Sequence, residues 1–295
     1  MRYFVAVAEE RSFTRAAARL HLSQQSLSTA VKRLEAQLGT RLLERTSQRV
    51  ELTAAGAALL AAAPAVLAAM DDAVAAVHAS AGELRGAVRL RYGLDSEVLV
   101  EERLTAFQAA FPEVAVQGGP GMDADNLAVL IQGEVDAVLC WASAPPGLPF
   151  VDVGREQALL AMPDRHRLAA LDRVPIAEVY AEPLVLFPRA GAPAVWDLFH
   201  GALRDPGRPD VGLQVLPVSG QRLMAARVLQ GDGVCPISET LASRLTRPGI
   251  VLRPLDPPLH IPLLLVWQRP TAIIAALADH LAATSDDPSD AHAQS

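Results

Sequence analysis

The chain has 295 residues, 51% hydrophobic but only 4% aromatic, and a formal net charge of −7. That length suits roughly two domains, two cysteines exclude a disulfide framework, and Glu9, Glu10, Arg11 and Arg15 interrupt any apolar core of an N-terminal signal peptide. Residues 1–53 hold nine Lys/Arg against five Asp/Glu, a balance of +4 that leaves −11 for the remainder, so nucleic-acid binding is expected at one end of an otherwise acidic body.

Ser12 to Leu20 reads as a short helix with Phe13, Ala16, Ala17 and Leu20 on one side, and His21-Leu22 as a turn short enough only for a tight helix-turn-helix. Ser23 to Leu38, SQQSLSTAVKRLEAQL, follows with two stripes. Leu27, Ala30, Val31, Leu34 and Leu38 form the apolar face of an amphipathic helix. Gln25, Ser28, Thr29 and Lys32 recur at the same spacing on the opposite face, and amides, hydroxyls and a lysine are the groups that meet base edges and phosphates in a major groove. Ser23 is a candidate N-cap, which places Gln24 and Gln25 in the first turn, where a recognition helix meets the bases. Taken alone, the stripe also fits an ordinary solvated helix face. Gly39 suits a helix C-terminus. The runs Leu42-Leu43 and Val50-Leu52 flank a polar tip and suggest a wing hairpin, from which Arg45 and Arg49 reach phosphates or simply face solvent.

The segment from Arg2 through SFTRAAARLHLSQQSLSTAVKRLEAQLGTRLLERTSQRVELTAAG resembles the N-terminal domain of LysR-type transcriptional regulators over about the first 56 residues. It departs at Ser26, where the family often has Pro-Ala after the glutamine, and at Thr29-Ala30, where Arg-Gln is common. The resemblance implies a winged helix-turn-helix that binds double-stranded DNA through Ser23, Gln24, Gln25, Ser28, Thr29, Lys32, Arg33, Arg45 and Arg49. It also implies a homodimer or homotetramer on an interrupted palindromic site.

Thr53 is a candidate cap for a helix running past Gly56. Leu60, Ala63, Leu67, Met70, Val74, Val77, Ala81 and Leu84 follow a heptad spacing that wants a partner helix, although packing on the chain's own body is the alternative. Pro64 predicts a kink near residues 60–64. In the family this segment, 57–85 here, is the linker helix that dimerises the protein. The uncharged run Ala54 to Met70 contains Pro64 and falls short of the 18 or more apolar residues of a membrane span, so a soluble, cytoplasmic protein without membrane contact is expected.

From Gly86 the pattern alternates. Strands are expected at Val88–Tyr92, Val114–Val116, Val135–Cys140, Gln157–Met162, Pro183–Phe187, Gln214–Val218, Val234–Ile237, Val251–Leu255 and Ile261–Trp267. Helices are expected at Val98–Phe111, Asp123–Gln132, Ala194–Arg204, Gln221–Gln230 and Thr271–Ala283. This α/β pattern, with local matches EPLVLFPR and GDGVCPIS, resembles the two-lobed LysR-type effector-binding domain, akin to periplasmic solute-binding proteins. That domain would span 86–284, with lobe I about 86–157 and 256–284 and lobe II about 158–255, before a disordered tail at 285–295. Open α/β sheets bind ligands beyond the carboxyl ends of their strands. The rule picks out Asp95, Ser96, Trp141, Arg189 and Ser219 for a small-molecule effector, the polar members of which also fit a helix cap or an exposed loop. Helix N-termini and Arg189 favour an organic acid, while Asp95 opposes it.

Cys140 and Cys235 sit in apolar strand-like runs and read as small buried hydrophobes, with a redox pair as the alternative. There is no GxSxG elbow, no GxGxxG opening a helix, no HExxH and no P-loop, and the seven histidines lack metal spacing. No catalytic residue, cofactor or metal is expected. The rival reading is a solute-binding protein without a regulatory role, which leaves residues 1–53 unexplained.

Overall fold

The computed structural model describes residues 1–45, 50–81, 83–93, 96–207 and 215–283. The chain divides into two compact units, one of Met1–Val77 with the segment Gln132–Glu134, the other of the remainder.

In the first unit α1 (Arg2–Glu10), α2 (Phe13–Arg19) and α3 (Gln24–Leu38) are followed by the antiparallel strands β1 (Leu43–Arg45) and β2 (Val50–Leu52) and by α4 (Ala54–Ser80). Ser12 caps α2 by accepting from the Arg15 N–H. Ser23 caps α3 by accepting from the Ser26 N–H at 3.1 Å, and α3 ends at Gly39 with φ 67°, as its serine and glycine predict. Phe4, Val7, Phe13, Ala16, Ala17, Leu27, Val31, Leu42 and Leu43 form one buried core. Leu38, expected on the apolar face, is 49% exposed, because the core ends one turn earlier. Glu35 accepts from the N–H groups of Leu42 (2.9 Å) and Leu43 (3.2 Å), fastening α3 to the start of the hairpin. Arg19 pairs with Glu9 at 2.7 Å, so the cations of α2 serve the α1–α2 contact.

Thr53 caps α4 by accepting from the Gly56 N–H at 2.9 Å and donates to the Arg41 carbonyl at 2.7 Å. The helix continues through Pro64 without a break. Leu60, the first member of the heptad row, packs with Ala55 and Leu59 on the helix-turn-helix core. Later members stand clear: Met70, Val74 and Val77 are 63%, 50% and 67% exposed. Because the helix continues past Asp71 and Asp72, it is longer than its uncharged run. At 27 residues, with a mean hydropathy of 1.7 over its most apolar 18, it has the length and composition of a membrane span although its uncharged run alone is shorter; length and composition by themselves do not overturn the expectation of no membrane contact.

The second unit is α/β. Its elements are β3 (Gly86–Gly93), α5 (Glu97–Ala110), β4 (Val114–Gly121), α6 (Asp123–Ile131), β5 (Ala137–Trp141), β6 (Phe150–Pro163), β7 (Val174–Pro175) and α7 (Ile176–Val179). Then follow β8 (Leu184–Leu186), α8 (Pro193–Ala202), β9 (Val215–Pro217), α9 (Gln221–Gln230), β10 (Cys235–Ser238), α10 (Glu239–Leu245), β11 (Ile250–Asp256), β12 (His260–Trp267) and α11 (Ala272–Ala283). Seven strands run in the order β4-β3-β5-β12-β6-β11-β7, with β10 also paired to β6, while β8 and β9 pair separately in parallel.

The 14-residue β6 organises this unit. Up to Gln157 it pairs with β12, and from Ala158 onward with β10 and β11. One strand therefore runs through a first half, built on β3, β4, β5 and β12, and a second half built on β10 and β11. Only Gln157–Met162 was expected to be extended. The earlier stretch carries Gly154, Arg155 and Glu156, which break the apolar pattern, yet β12 covers it. The helix α10 was not expected at all. The tail beyond Ala283 lies outside the described residues.

Candidate functional site

Two features stand out, one in each unit. The first is the outer face of α3. Leu27 and Val31 lock its inner side into the core, and this leaves Gln24, Gln25, Thr29, Lys32 and Arg33 exposed and Ser28 half-exposed. The Thr29 hydroxyl donates back to the Gln25 carbonyl at 2.9 Å. Ser23 shares its capping hydroxyl with Ser26 at 2.8 Å. Lys32 is the only lysine of the chain, and among the described residues it has no acidic partner. The hairpin brings Arg45 opposite Val50 in backbone register. The Arg45 side chain and all of Arg49 lie outside the described residues.

The second feature is a cavity of about 930 Å³ at the carboxyl ends of the strands of both halves of the α/β unit. The first half contributes Gly93 after β3, Gly121 to Asp123 between β4 and α6, Trp141 at the end of β5, and Ile261. Asn126 fixes this wall. Fully buried, it donates to the carbonyls of Tyr92 (2.9 Å) and Gly121 (3.2 Å) and accepts from Arg91, joining the ends of β3 and β4 to α6. The second half contributes Phe187, Phe199, Leu241, Ser219 and the cations Arg222 and Arg244, among others. Glu156 of β6 accepts from the Thr240 N–H at 3.0 Å and from the Thr240 hydroxyl. A carboxylate at the start of a helix is favourably placed, and here it holds α10, which carries Arg244.

Of the side chains expected to meet a ligand, Trp141 and Ser219 line this cavity. Ser96 does not: it is fully buried and its hydroxyl donates to the Gly93 carbonyl at 2.8 Å, one layer behind the wall. Arg189 does not either. Its guanidinium binds Asp197 through two hydrogen bonds of 2.7 Å and lies 6.0 Å from the Trp196 ring centre. That pairing holds the Asp197 carboxyl below its ordinary range. Asp95 lies outside the described residues. Asp123, at the start of α6, is the carboxylate among the cavity's described lining residues.

Arg222 and Arg244 were missed. Arg222 follows the Ser219-Gly220 strand end by two residues, so the strand-end rule stopped one step short. Arg244 depended on finding α10. Ser238, which caps α10 by accepting from Leu241, followed by Glu239, was its start signal.

Burial pushes the thiols of Cys140 and Cys235 from 9.0 up to about 12, with Asp123 adding to the effect at Cys140. Both are therefore neutral, buried groups and poor nucleophiles. An unfolded thiol ionises near 9.0 while these hold their protons to about 12, so their contribution is intact below pH 9 and is lost as pH rises towards 12. Melting temperature should fall over that alkaline window, and less steeply in a Cys140→Ala, Cys235→Ala variant; parallel curves would contradict it. Among the described residues no three His, Cys, Asp or Glu side chains are placed to share a metal ion.

An exposed amide, hydroxyl and lysine face on a capped helix, joined to an α/β unit with a ligand-sized cavity, defines a ligand-responsive DNA-binding protein. Comparison with known proteins gives the family. The pattern described as bacterial regulatory helix-turn-helix protein, lysR family, matches residues 1–57, and the LysR substrate binding domain matches residues 81–286. The regulator XapR of Escherichia coli is 31% identical over 275 residues, covering 91% of this chain and 90% of that protein. The uncharacterised regulator YnfL of the same organism is 38% identical over 209 residues, 69% of this chain and 70% of that one. Among solved structures, a full-length cysteine-to-aspartate variant of OxyR from Pseudomonas aeruginosa superposes with a TM-score of 0.66 at 23% identity, covering 95% and 92% of the two chains. Full-length CbnR in complex with its target DNA does so with 0.59 at 24%, covering 95% and 96%. The chain belongs to the LysR family of transcriptional regulators, with a helix-turn-helix DNA-binding domain followed by an effector-binding domain.

Proposed function

We propose that this regulator reads DNA through Gln24, Gln25, Ser28, Thr29 and Lys32 of α3. Ser23 and Arg33 flank that face, and Arg45 and Arg49 of the hairpin complete the contact. The observation that carries the reading is the division of α3: one side is sealed into the core by Leu27 and Val31, and the other presents hydrogen-bonding and cationic groups with no acid among them. The Thr29 hydroxyl donates to the Gln25 carbonyl and offers its methyl group and two lone pairs, beside the half-exposed Ser28. The protein acts in the cytoplasm by binding rather than catalysis. It assembles through α4 as a homodimer or homotetramer on an interrupted palindrome. Its domains are the helix-turn-helix to residue 56, the linker helix to 85 and the two lobes beyond, exchanging at the Gln157–Ala158 switch in β6.

The cavity is the effector site. Its apolar lining and two arginines without carboxylate partners among the described residues favour an organic acid, oriented by Arg244, Arg222, Ser219 and Trp141.

A mobility shift with the DNA upstream of the chain's own gene tests the first part. Ser28→Ala should cost about 1–3 kcal/mol of specific binding. Lys32→Ala should weaken specific and non-specific binding alike and reduce the salt slope by about one. Unchanged site preference in Ser28→Ala would mean another face of α3 reads the bases.

A further inference from the structure

The second-half wall of the cavity carries positive charge that the chain itself leaves unbalanced. Arg222, in the first turn of α9, and Arg244, on α10, both line it. Neither has a carboxylate or hydrogen-bond partner among the described residues, and Arg244 is half-buried. The helices that carry them are fixed to each other, because Met224, Ala225 and Val228 of α9 share a buried core with Leu241, Ala242 and Leu245 of α10. The described lining residues of this half include no acid, and Asp123 belongs to the other wall. Further donors stand on the same side. The Ser219 hydroxyl has no partner among the described residues. Ser238 accepts from the Leu241 N–H at 3.3 Å and keeps its own proton to donate. No side chain caps α9 at Gly220, and the N–H groups of Gly220 and Arg222 have no acceptor among the described residues.

A single carboxylate answers only part of this wall. It brings one negative charge and about four acceptor sites, so it balances one guanidinium and leaves the other without a counter-charge as ligand displaces water from an otherwise apolar space. A phosphate monoester brings about −1.5 to −2 charges at neutral pH and three strong acceptor oxygens. Arginine forks match phosphate oxygens in pairs, and the open N–H groups at the start of α9 favour the same anion. We propose that the cavity takes a phosphate monoester of an apolar, ring-sized alcohol. Its phosphate is held by Arg222, Arg244 and Ser219, and its body lies against Trp141, Phe187 and Phe199. This narrows the organic acid to one head group, and it rests on the reading of this cavity as the effector site.

The test is calorimetry on the full-length protein with phenyl phosphate, benzoate, phthalate and inorganic phosphate. At about pH 7.5 the ester should bind about tenfold or more tighter than each of the other three. A phosphate monoester loses its second proton at about pH 6, where carboxylates are already ionised. The advantage over benzoate should therefore shrink as the pH is lowered to about 5. No histidine stands among the described lining residues, so that response reports the ligand's own proton. Arg222→Gln and Arg244→Gln should each narrow the ratio of ester to benzoate affinity, with lysine at the same position restoring part of the loss. Melting curves of each variant check that it is folded. Benzoate, phthalate or inorganic phosphate binding as tightly as the ester, a ratio that ignores pH, or a ratio unchanged in both glutamine variants overturns the proposal. Benzoate that binds without the ester, and is lost in Arg244→Gln, overturns the phosphate alone and leaves the organic-acid reading of the effector site standing. Binding of no probe overturns both.

Discussion

Met70→Asp should convert the protein to monomers at low micromolar concentration and lower its affinity for a full two-fold site by about 10²–10⁴-fold, the range expected when one of two linked contacts is lost. Met70 is 63% exposed on α4, with Val66 and Val74 each at 50% and Val77 at 67%. Half or more of each of these apolar side chains is open to solvent in the single chain, and the row Leu67, Met70, Val74, Val77 keeps the 3-4-3 spacing of a helix seam. An aspartate at an exposed position costs the single chain little. In a two-fold dimer the same change appears twice and buries an unpaired charge each time. Leu67 is a poorer choice for this test, because it is half-buried in the single chain and a charge there would confound folding with assembly. Sedimentation should report dissociation, and binding to an isolated half-site should survive. A variant that stays dimeric would place the interface on another surface.

The first unit was legible because its signals are local. Ser23, Gly39 and Thr53 act within one helical turn of their partners, and the two stripes of α3 follow from a period of 3.6 residues alone. The cavity was legible only in part, because it depends on which chain ends meet. Asp95 and Asp123 both follow a strand and precede a helix. The parallel register that sets Gly93 beside Gly121 is what carries Asp123 onto the cavity wall. Arg189 and Arg244 show the same limit. Both are arginines near strand ends or helix starts, but Asp197 claims Arg189, while Arg244 sits half-buried with no carboxylate partner among the described residues. The first half of β6 was hidden because its polar residues look like a loop until β12 pairs with them.

Gly56→Ala should unfold or displace the DNA-binding unit while sparing the α/β unit. A Cβ at position 56 would lie 2.0 Å from the Leu42 carbonyl oxygen, 3.0 Å from its carbon and 3.1 Å from Leu52 Cδ2. The first two are backbone atoms, which cannot rotate away as a side-chain end can. The Leu42 peptide is held from the other direction, because its N–H is bound to Glu35 at 2.9 Å and its side chain is 1% exposed in the core. Nor can α4 lift freely, since Thr53 ties its first turn to the Arg41 carbonyl. Relief therefore requires moving the start of α4 or the hairpin relative to α3, at a cost of about 2–4 kcal/mol, within the range of severe core overpacking. The pieces displaced are the ones that fix the angle between the α3 face and the hairpin, so DNA binding should fall for specific and non-specific sequences together. In a two-unit protein the loss should appear as a lowered or absent first transition in calorimetry, with the second transition and its response to a cavity ligand unchanged. A Gly56→Ala protein with wild-type melting and wild-type DNA affinity would show that the α4 start can move off β1 without cost to the fold.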